Sequence, residues 1–473
     1  MYRLELQTSV AAAREFSVTY ALILSVLTRI YVTSSTGQKD ANCSVEDYAL
    51  CLLRSPHAMG ILVRDKVDVP PSVEQTTQPT ERIAWEYLVV QAAVIWLVSR
   101  LALVSFTFFS LILTYREGTS RASMLDAWFR YDAINYVNIA AQGYMTPKDA
   151  AFFPLYPILI YIGSFIVGNT VLVAVIISNL GTLAACIGLA RLSVDEGGGE
   201  HTARLSVLAL LSWPLGFFLA AGYTEGIFLA FAVWCLWSMR RGHLSRKYWY
   251  LAAAFAFFGT LTRSTGAILF LPLLYEFARQ HGWVEQLRKR TFAYRLDRTD
   301  IPPLVAVIAA VPLAFGLFSG FCLLRYGDFL MWVHVQIQWD RVSMPIWESI
   351  WKTVRYHLSF LPLSYFQGHT LIDSLPFLVI VIVAIVGVRR LPVSFTLYMA
   401  GLIFLILSSP REIADNAVYL VSAGRFSLAA LPAFLLIGKW SERLPGVATF
   451  FTYGGVLLQA AFLAFFITGG LLI

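Results

Sequence analysis

The stretch LIDSLPFLVIVIVAIVGV at residues 371–388, followed after a basic turn (Arg389-Arg390) by VSFTLYMAGLIFLIL at residues 393–407, decides the fold. Both runs are continuously apolar rather than alternating. Lipid offers a backbone no hydrogen-bond partner, so a chain that crosses it must satisfy its amides internally. A helix does so, and about 20 apolar residues span the hydrocarbon core. A transmembrane barrel would show segments of about ten residues with alternating polarity. The two runs therefore predict membrane-spanning helices joined by a short basic turn.

The pattern repeats in both directions. The chain has 473 residues, 58% of them hydrophobic and only 14% charged. A soluble domain carries about 25% charged and about 45–50% apolar residues. Apolar blocks predict helices near 87–112, 169–192, 203–221, 225–239, 248–262, 265–279, 302–324, 372–388, 392–408, 420–437 and 447–472. The expected class is an all-α polytopic membrane protein of about 11–12 spans. Residues 85–473 form its transmembrane domain, and residues 1–84 are an N-terminal segment with no assigned role. Within that segment, residues 16–32 are apolar but contain Arg29, which leaves a span, an interfacial helix and a signal-like segment open.

The formal net charge of +7 does not point to nucleic acid. Basic residues gather in a few short loops: Arg240, Arg241, Arg246 and Lys247; Arg279, Arg288, Lys289, Arg290, Arg295 and Arg298; Arg389 and Arg390; Lys439 and Arg443. Alternate crossing puts these loops on one face, which the positive-inside rule makes cytoplasmic. The other face receives two long connections, roughly 113–168 and 325–371. It also receives tips at Tyr223-Thr224-Glu225 and Arg263-Ser264. Long connections are often functional, so the working groups are expected there.

Of the five cysteines, Cys186, Cys235 and Cys322 lie in apolar blocks. Cys43 and Cys51 share a polar stretch and could pair in an oxidising compartment. No Cys/His spacing suggests zinc. Asp126 and Asp132, six residues apart, do not share a helical face, so they make no metal pair on one helix. No cofactor is expected, with a divalent metal left open.

In the first long connection, Asp132, Asn135, Tyr136, Ile139 and Gly143 recur at helical spacing. This predicts a short helix along the membrane surface, with Asp132 at its N-terminus, where the helix dipole favours a carboxylate. By periodicity alone it reads as an interfacial amphipathic helix anchored by aromatics. Pro154 and Pro157 fit a re-entrant bend.

A resemblance adds a functional reading. Tyr131-Asp132-Ala133 through Gly143-Tyr144, then Phe152-Phe153-Pro154-Leu155-Tyr156-Pro157, resembles the first lumenal loop of the GPI mannosyltransferase 2 family and its prokaryotic relatives. Tyr131 stands where that family has Trp. The likeness continues in order through Gly222-Tyr223-Thr224-Glu225 and Arg263-Ser264-Thr265-Gly266, with Thr265 in place of Asn. It extends more loosely through Gln338-Trp339-Asp340-Arg341 and Gly424-Arg425-Phe426.

The resemblance implies a GT-C-like enzyme, a polytopic glycosyltransferase using a polyprenyl- or dolichyl-phosphate sugar donor. The implied reaction is inverting transfer of mannose to a membrane-associated acceptor hydroxyl on the extracytoplasmic face. In GPI-anchor biosynthesis the acceptor would be the precursor that takes a second mannose. In a prokaryote it would be another surface glycan. Either an endoplasmic reticulum membrane or a prokaryotic plasma membrane would suit. The partners implied are the lipid-linked sugar donor, a glycan or glycolipid acceptor and membrane lipids, with an accessory membrane subunit open.

Asp132 matches the loop carboxylate and is assigned as general base. Glu225 is either a second active-site acid or a helix-initiating carboxylate. Arg263, Arg341 and Arg425 are candidates for the donor phosphate, which suits a planar guanidinium. Snorkelling to headgroups is the alternative for Arg263. Tyr131, Asn135, Tyr136, Tyr223 and Gln338 are candidate substrate contacts. The rival reading is a lipid or solute transporter or flippase. Transporters keep charge near the midplane and often show repeated halves, and neither pattern is visible here.

Overall fold

A computed structural model of the chain describes residues 84–114, 121–290, 297–358, 365–412, 418–420 and 422–468. The N-terminal segment, with its apolar stretch, Cys43 and Cys51, lies outside the described residues, as does Arg295. The described residues from Ala84 onward group as one compact unit.

The described chain is helical apart from two-residue strands. The helices that build the frame are α1 (Trp85–Thr114), α2 (Arg121–Trp128), α3 (Asp132–Gln142), α4 (Leu155–Val167), α5 (Thr170–Asp195), α6 (Glu200–Leu211), α7 (Glu225–Arg240) and α8 (Lys247–Thr262). There follow α9 (Phe270–Gln280), α10 (Ile301–Tyr326), α11 (Ile346–Leu358), α12 (Tyr365–Gly387) and α13 (Val393–Leu407). The strands β1 (Arg411–Glu412) and β2 (Val418–Tyr419) pair antiparallel, before α14 (Ala423–Phe426), α15 (Leu431–Arg443) and α16 (Gly455–Ile467).

Among the described residues, five stretches are long and apolar enough to cross a membrane: Trp85–Leu113, Thr170–Asp195, Arg298–Tyr326, Thr370–Gly387 and Pro445–Ile467. Leu155–Val167 and Val393–Leu407 are shorter apolar helices. Large side chains on several of them stay exposed, among them Leu101, Leu180, Leu313, Leu324 and Ile385. A water-soluble surface rarely carries apolar area on that scale, whereas lipid covers it at no cost. The chain is a multi-pass integral membrane protein.

Helix boundaries differ from the sequence reading where proline and glycine intervene. The block 203–221 is not one helix: α6 stops at Leu211, and Gly216–Leu219 follows as a 3-10 turn beyond Pro214. Pro214 lacks an amide proton and clashes with the preceding turn, which breaks the run. The block 420–437 begins as the short α14 before α15, and 447–472 carries a π-helical segment at Phe450–Gly454. The connection 113–168 is largely helical and contains α4. Pro157 sits in the first turn of α4, where a missing amide costs nothing. The second long connection contains α11.

Close approach of α5 and α7 fixes the frame. A Cβ on Gly226 would run into the Ser178 carbonyl and Thr182 Oγ1, and one on Gly181 into the backbone at Gly226 and Ile227. Small residues at such crossings let helix backbones touch in a membrane. At the C-terminal end of α7, Arg240 bonds Glu196 Oε1 at 2.6 Å and Glu276 Oε1 at 3.1 Å. Arg241 bonds Asp195, and Lys439 Nζ donates to the Glu196 carbonyl at 2.8 Å. This basic end lies a whole helix away from Glu225, the first residue of α7. The helix has sixteen residues and is about 24 Å long at about 1.5 Å per residue.

Candidate functional site

At the end of α7 opposite the basic loops, five elements converge. Glu225 opens α7 and is 2% exposed. Asp132 opens α3, lifted there by Tyr131, whose φ of 51° reverses the chain before the helix. Arg263 caps α8 in an extended conformation (φ −157°) that ends the helix and turns the side chain back toward α7. Arg425 lies on α14. Arg341 reaches in from the segment before α11, where the chain pairs with residues 408–411. There Val342 donates to the Pro410 carbonyl at 3.0 Å and Arg341 bridges to Arg411.

The charges interlock. Arg425 Nη1 donates to Asp132 Oδ2 at 2.7 Å, and its Nε lies 3.3 Å from Glu225 Oε1. Arg263 Nη1 donates to the same Glu225 oxygen. Glu225 therefore joins two guanidiniums while Arg425 joins two carboxylates. Burial alone would press the Arg425 guanidinium toward neutrality, but Asp132 and Glu225 outweigh it and hold the group above its usual range.

Arg341 differs. Among the described residues no carboxylate pairs with its side chain, which sits 5.4 Å from the centre of the Phe426 ring. Burial first, and the positive field of Arg425 second, push its pKa down to about 10. Asp132 opposes them only in part, so Arg341 remains a cation at neutral pH with no paired carboxylate among the described residues.

These groups border a pocket of ≈ 400 Å³ lined by Asp132, Tyr136, Phe152, Arg263, Arg341 and Arg425. Aromatics build its wall. Tyr136 meets Phe152 and Tyr156 edge-on, with ring centres 5.0 and 5.1 Å apart. Phe152 meets Trp339 at 5.7 Å. Tyr136 Oη lies 3.3 Å from Thr224 Oγ1, and burial pushes that phenol up to about 12. Such a phenol stays protonated and can only donate or accept a hydrogen bond.

The other predicted contacts are placed as follows. Tyr223 is buried beneath the site, gives its hydroxyl to the Arg130 carbonyl at 2.9 Å and presents its ring to Arg425 at 5.3 Å. Tyr131 packs on Phe466 at 5.9 Å and does not line the pocket. Asn135 is half-buried on α3, outside the lining. Gln338 is exposed and also outside it, whereas Gln336 and Trp339 face the pocket. The 3-10 turn Val335–Trp339 sets this phase, because residues three apart eclipse in such a turn. Trp332, Gln336, Ser408, Arg411 and Phe426 also line the pocket and had no periodic signal to mark them. Among the described residues no group of three His, Cys, Asp or Glu side chains is placed to hold a metal ion.

An apolar groove of ≈ 620 Å³ runs from the C-terminal end of α3 across Pro157, Ile158 and Tyr161 of α4 to Leu261, Leu317 and Phe321. Tyr144 closes one side, with its hydroxyl on the Phe152 carbonyl at 2.7 Å. Phe152 thus borders the polar pocket with its ring and holds the groove wall through its backbone.

The chain has recognisable relatives. Residues 148–296 match the family model described as dolichyl-phosphate-mannose-protein mannosyltransferase. That segment holds Phe152, Glu225 and Arg263 but not Asp132, Arg341 or Arg425. Among solved structures, ArnT from Cupriavidus metallidurans, bound to undecaprenyl phosphate, aligns over 82% of this chain and 76% of its own at 15% identity. The TM-score of 0.45 is too loose for that likeness to bear on the chemistry. GPI mannosyltransferase 2 of Schizosaccharomyces pombe is 29% identical over 143 residues, a match spanning 30% of this chain and 30% of that protein. Over residues 148–296, which build the α7 and α8 side of the site, this membrane protein is thus similar to the dolichyl-phosphate-mannose-protein mannosyltransferase family.

Proposed function

We propose that the chain is a glycosyltransferase that moves a mannosyl group from a polyprenyl- or dolichyl-phosphate donor to a membrane-associated acceptor hydroxyl. The observation that carries this reading is a half-exposed carboxylate, Asp132, sharing one pocket with the carboxylate-free guanidinium of Arg341. The similarity to mannosyltransferases supports the sugar, and the neighbouring apolar groove suits a lipid chain.

In this reading Asp132 Oδ2 stays on Arg425, and Oδ1, which has no partner among the described residues, accepts the proton of the acceptor hydroxyl. The acceptor oxygen attacks the anomeric carbon as the bond from that carbon to the lipid-phosphate oxygen breaks. Attack opposite the leaving group inverts the centre. The departing phosphate keeps the bonding electron pair, and Arg341 offers it charge already oriented and desolvated, the arrangement that most favours a transition state. Arg263 is committed to Glu225 and acts on the phosphate at longer range. Glu225 holds the two arginines; it is buried beneath the pocket lining, so its role is structural support of the cations.

The test is transfer of labelled mannose from polyprenyl-phosphate mannose in proteoliposomes, offered alongside the glucosyl analogue and a panel of glycolipid acceptors, with and without a chelator. Mannosyl transfer that depends on Asp132 supports the reading. Movement of the lipid donor between leaflets without transfer would establish the transporter reading instead. No observation here favours that rival, since the interlocked charges gather at one end of α7 rather than along a path through the bundle.

A further inference from the structure

One buried carboxylate near the site lies outside the pocket lining. Asp373 lies on α12, is 8% exposed and is absent from the pocket lining. Its Oδ2 accepts the Ser422 amide at 3.0 Å, and the Gly424 amide favours the carboxylate electrostatically without a bond of normal geometry. Those two amides begin the turn that ends in Arg425.

The turn needs holding. Ser422 has φ 59°, a left-handed conformation that a non-glycine residue adopts at some energetic cost. Its carbonyl accepts the Phe426 amide at 2.8 Å, which closes the single turn of α14. Four residues of helix do not nucleate unaided. Gly424 sits flat on α12: a Cβ there would meet the Asp373 carbonyl oxygen at 3.0 Å and its Cα at 3.1 Å. A helix wall, a missing side chain and a carboxylate taking the Ser422 amide together determine where the turn lies. The side chain so aimed is Arg425, the only group among the described residues seen to pair with Asp132.

We propose that Asp373 is the positioning residue of the site: it fixes the turn from Ser422 to Arg425 so that Arg425 holds the Asp132 carboxylate in its working orientation. It acts as a hydrogen-bond acceptor for the backbone and not as a charge. The catalytic part of this statement rests on the proposed transfer reaction; the structural part does not.

Two measurements on the full-length protein in nanodiscs separate these parts. The variants are Asp373→Leu, which fills the same volume without an acceptor, and Asp373→Asn, which keeps one acceptor oxygen without the charge. By hydrogen–deuterium exchange, the segment 420–427 should lose protection at least tenfold in Asp373→Leu and stay within threefold of wild type in Asp373→Asn. In the mannosyl-transfer assay, kcat should fall at least tenfold in Asp373→Leu with the donor KM within threefold, and the fall should vanish in an Arg425→Ala background. If Asp373→Leu does not fold, Asp373→Glu replaces it, since its longer side chain pushes the same turn outward, and the same outcomes apply. Unchanged exchange, a loss in Asp373→Asn equal to that in Asp373→Leu, or additive loss with Arg425→Ala would overturn the inference. A wild-type protein that transfers nothing would overturn the proposed function and leave the exchange result standing.

Discussion

Arg425 and Asp132, 293 residues apart in the chain, meet at 2.7 Å. The arginine side chain is 6% exposed and the aspartate 27%. This asymmetry suits different tasks. The arginine is enclosed by the rings of Phe218, Tyr223 and Phe426 at 5.3–5.5 Å and cannot leave easily. The aspartate keeps an open side toward the pocket. A base must reach its substrate, whereas the group that orients it need not.

Removing the base should therefore stop the chemistry and spare the fold. Asp132→Asn keeps the shape and a hydrogen bond to Arg425 but cannot take a proton. A general base contributes about 10²–10⁴ in rate, so kcat should drop by at least that factor. Labelled transfer, read beside an unchanged melting curve, checks this. A mutant that works at the wild-type rate would discard the assignment.

Arg341 should show itself in donor affinity. It carries charge in the pocket without a carboxylate to neutralise it, and a hydrogen bond to a charged group contributes about 1.5–3 kcal/mol. Arg341→Gln should raise the Kd for polyprenyl phosphate by about 10- to 100-fold. Because this half-buried cation is partly desolvated without a paired carboxylate, the same change should leave the melting temperature level or higher. Equal affinity in the variant and the wild type would move the phosphate site elsewhere.

Arg263 should behave in the opposite way. Its partner Glu225 is 3% exposed, and truncating one member of a buried pair costs about 3–5 kcal/mol, because the other charge is stranded. Arg263→Ala alone should be severely destabilised, Arg263→Met with Glu225→Gln much less so. A thermal double-mutant cycle reads the coupling. Independent, additive losses would mean that the pair is not a unit. The sequence marks Arg263 as a donor-phosphate candidate, with snorkelling to headgroups as the alternative; the structure adds its ion pair with Glu225.

What could be read in the sequence, and what could not, follows from the range of the interactions. Apolar runs such as 371–388 are local signals, so the membrane helices were legible. The helix beginning at Asp132 was too, because its spacing is periodic. The pairing of Asp132 with Arg425 was not, since it joins α3 to α14 across most of the chain and no local pattern records it. Gln338 stands out only through the resemblance of Gln338-Trp339-Asp340-Arg341; the 3-10 turn is what turns Gln336 and Trp339 to the pocket and Gln338 away. Asp373 gives no sign, as its value lies in an amide 49 residues further on. Pro154 and Pro157 suggested a bend, but α4 accepts a proline in its first turn.

The crossing of α5 and α7 carries the last prediction. Gly226 follows Glu225 directly, and the Ser178 carbonyl occupies the space a methyl group would need. That obstacle is backbone and cannot rotate aside. Elsewhere in a helix, glycine to alanine gains about 1 kcal/mol from chain entropy. Here the gain is opposed by overpacking, which costs about 1–3 kcal/mol or more when a backbone must shift. Gly226→Ala should therefore lower the melting temperature, and by displacing Glu225 from Arg263 and Arg425 it should reduce transfer in the fraction that remains folded. Gly446→Ala, at a helical position with nothing within 4 Å of the added Cβ, is the matched control and should be neutral or stabilising. If the two variants melt alike, the close contact between α5 and α7 is not what places the glutamate.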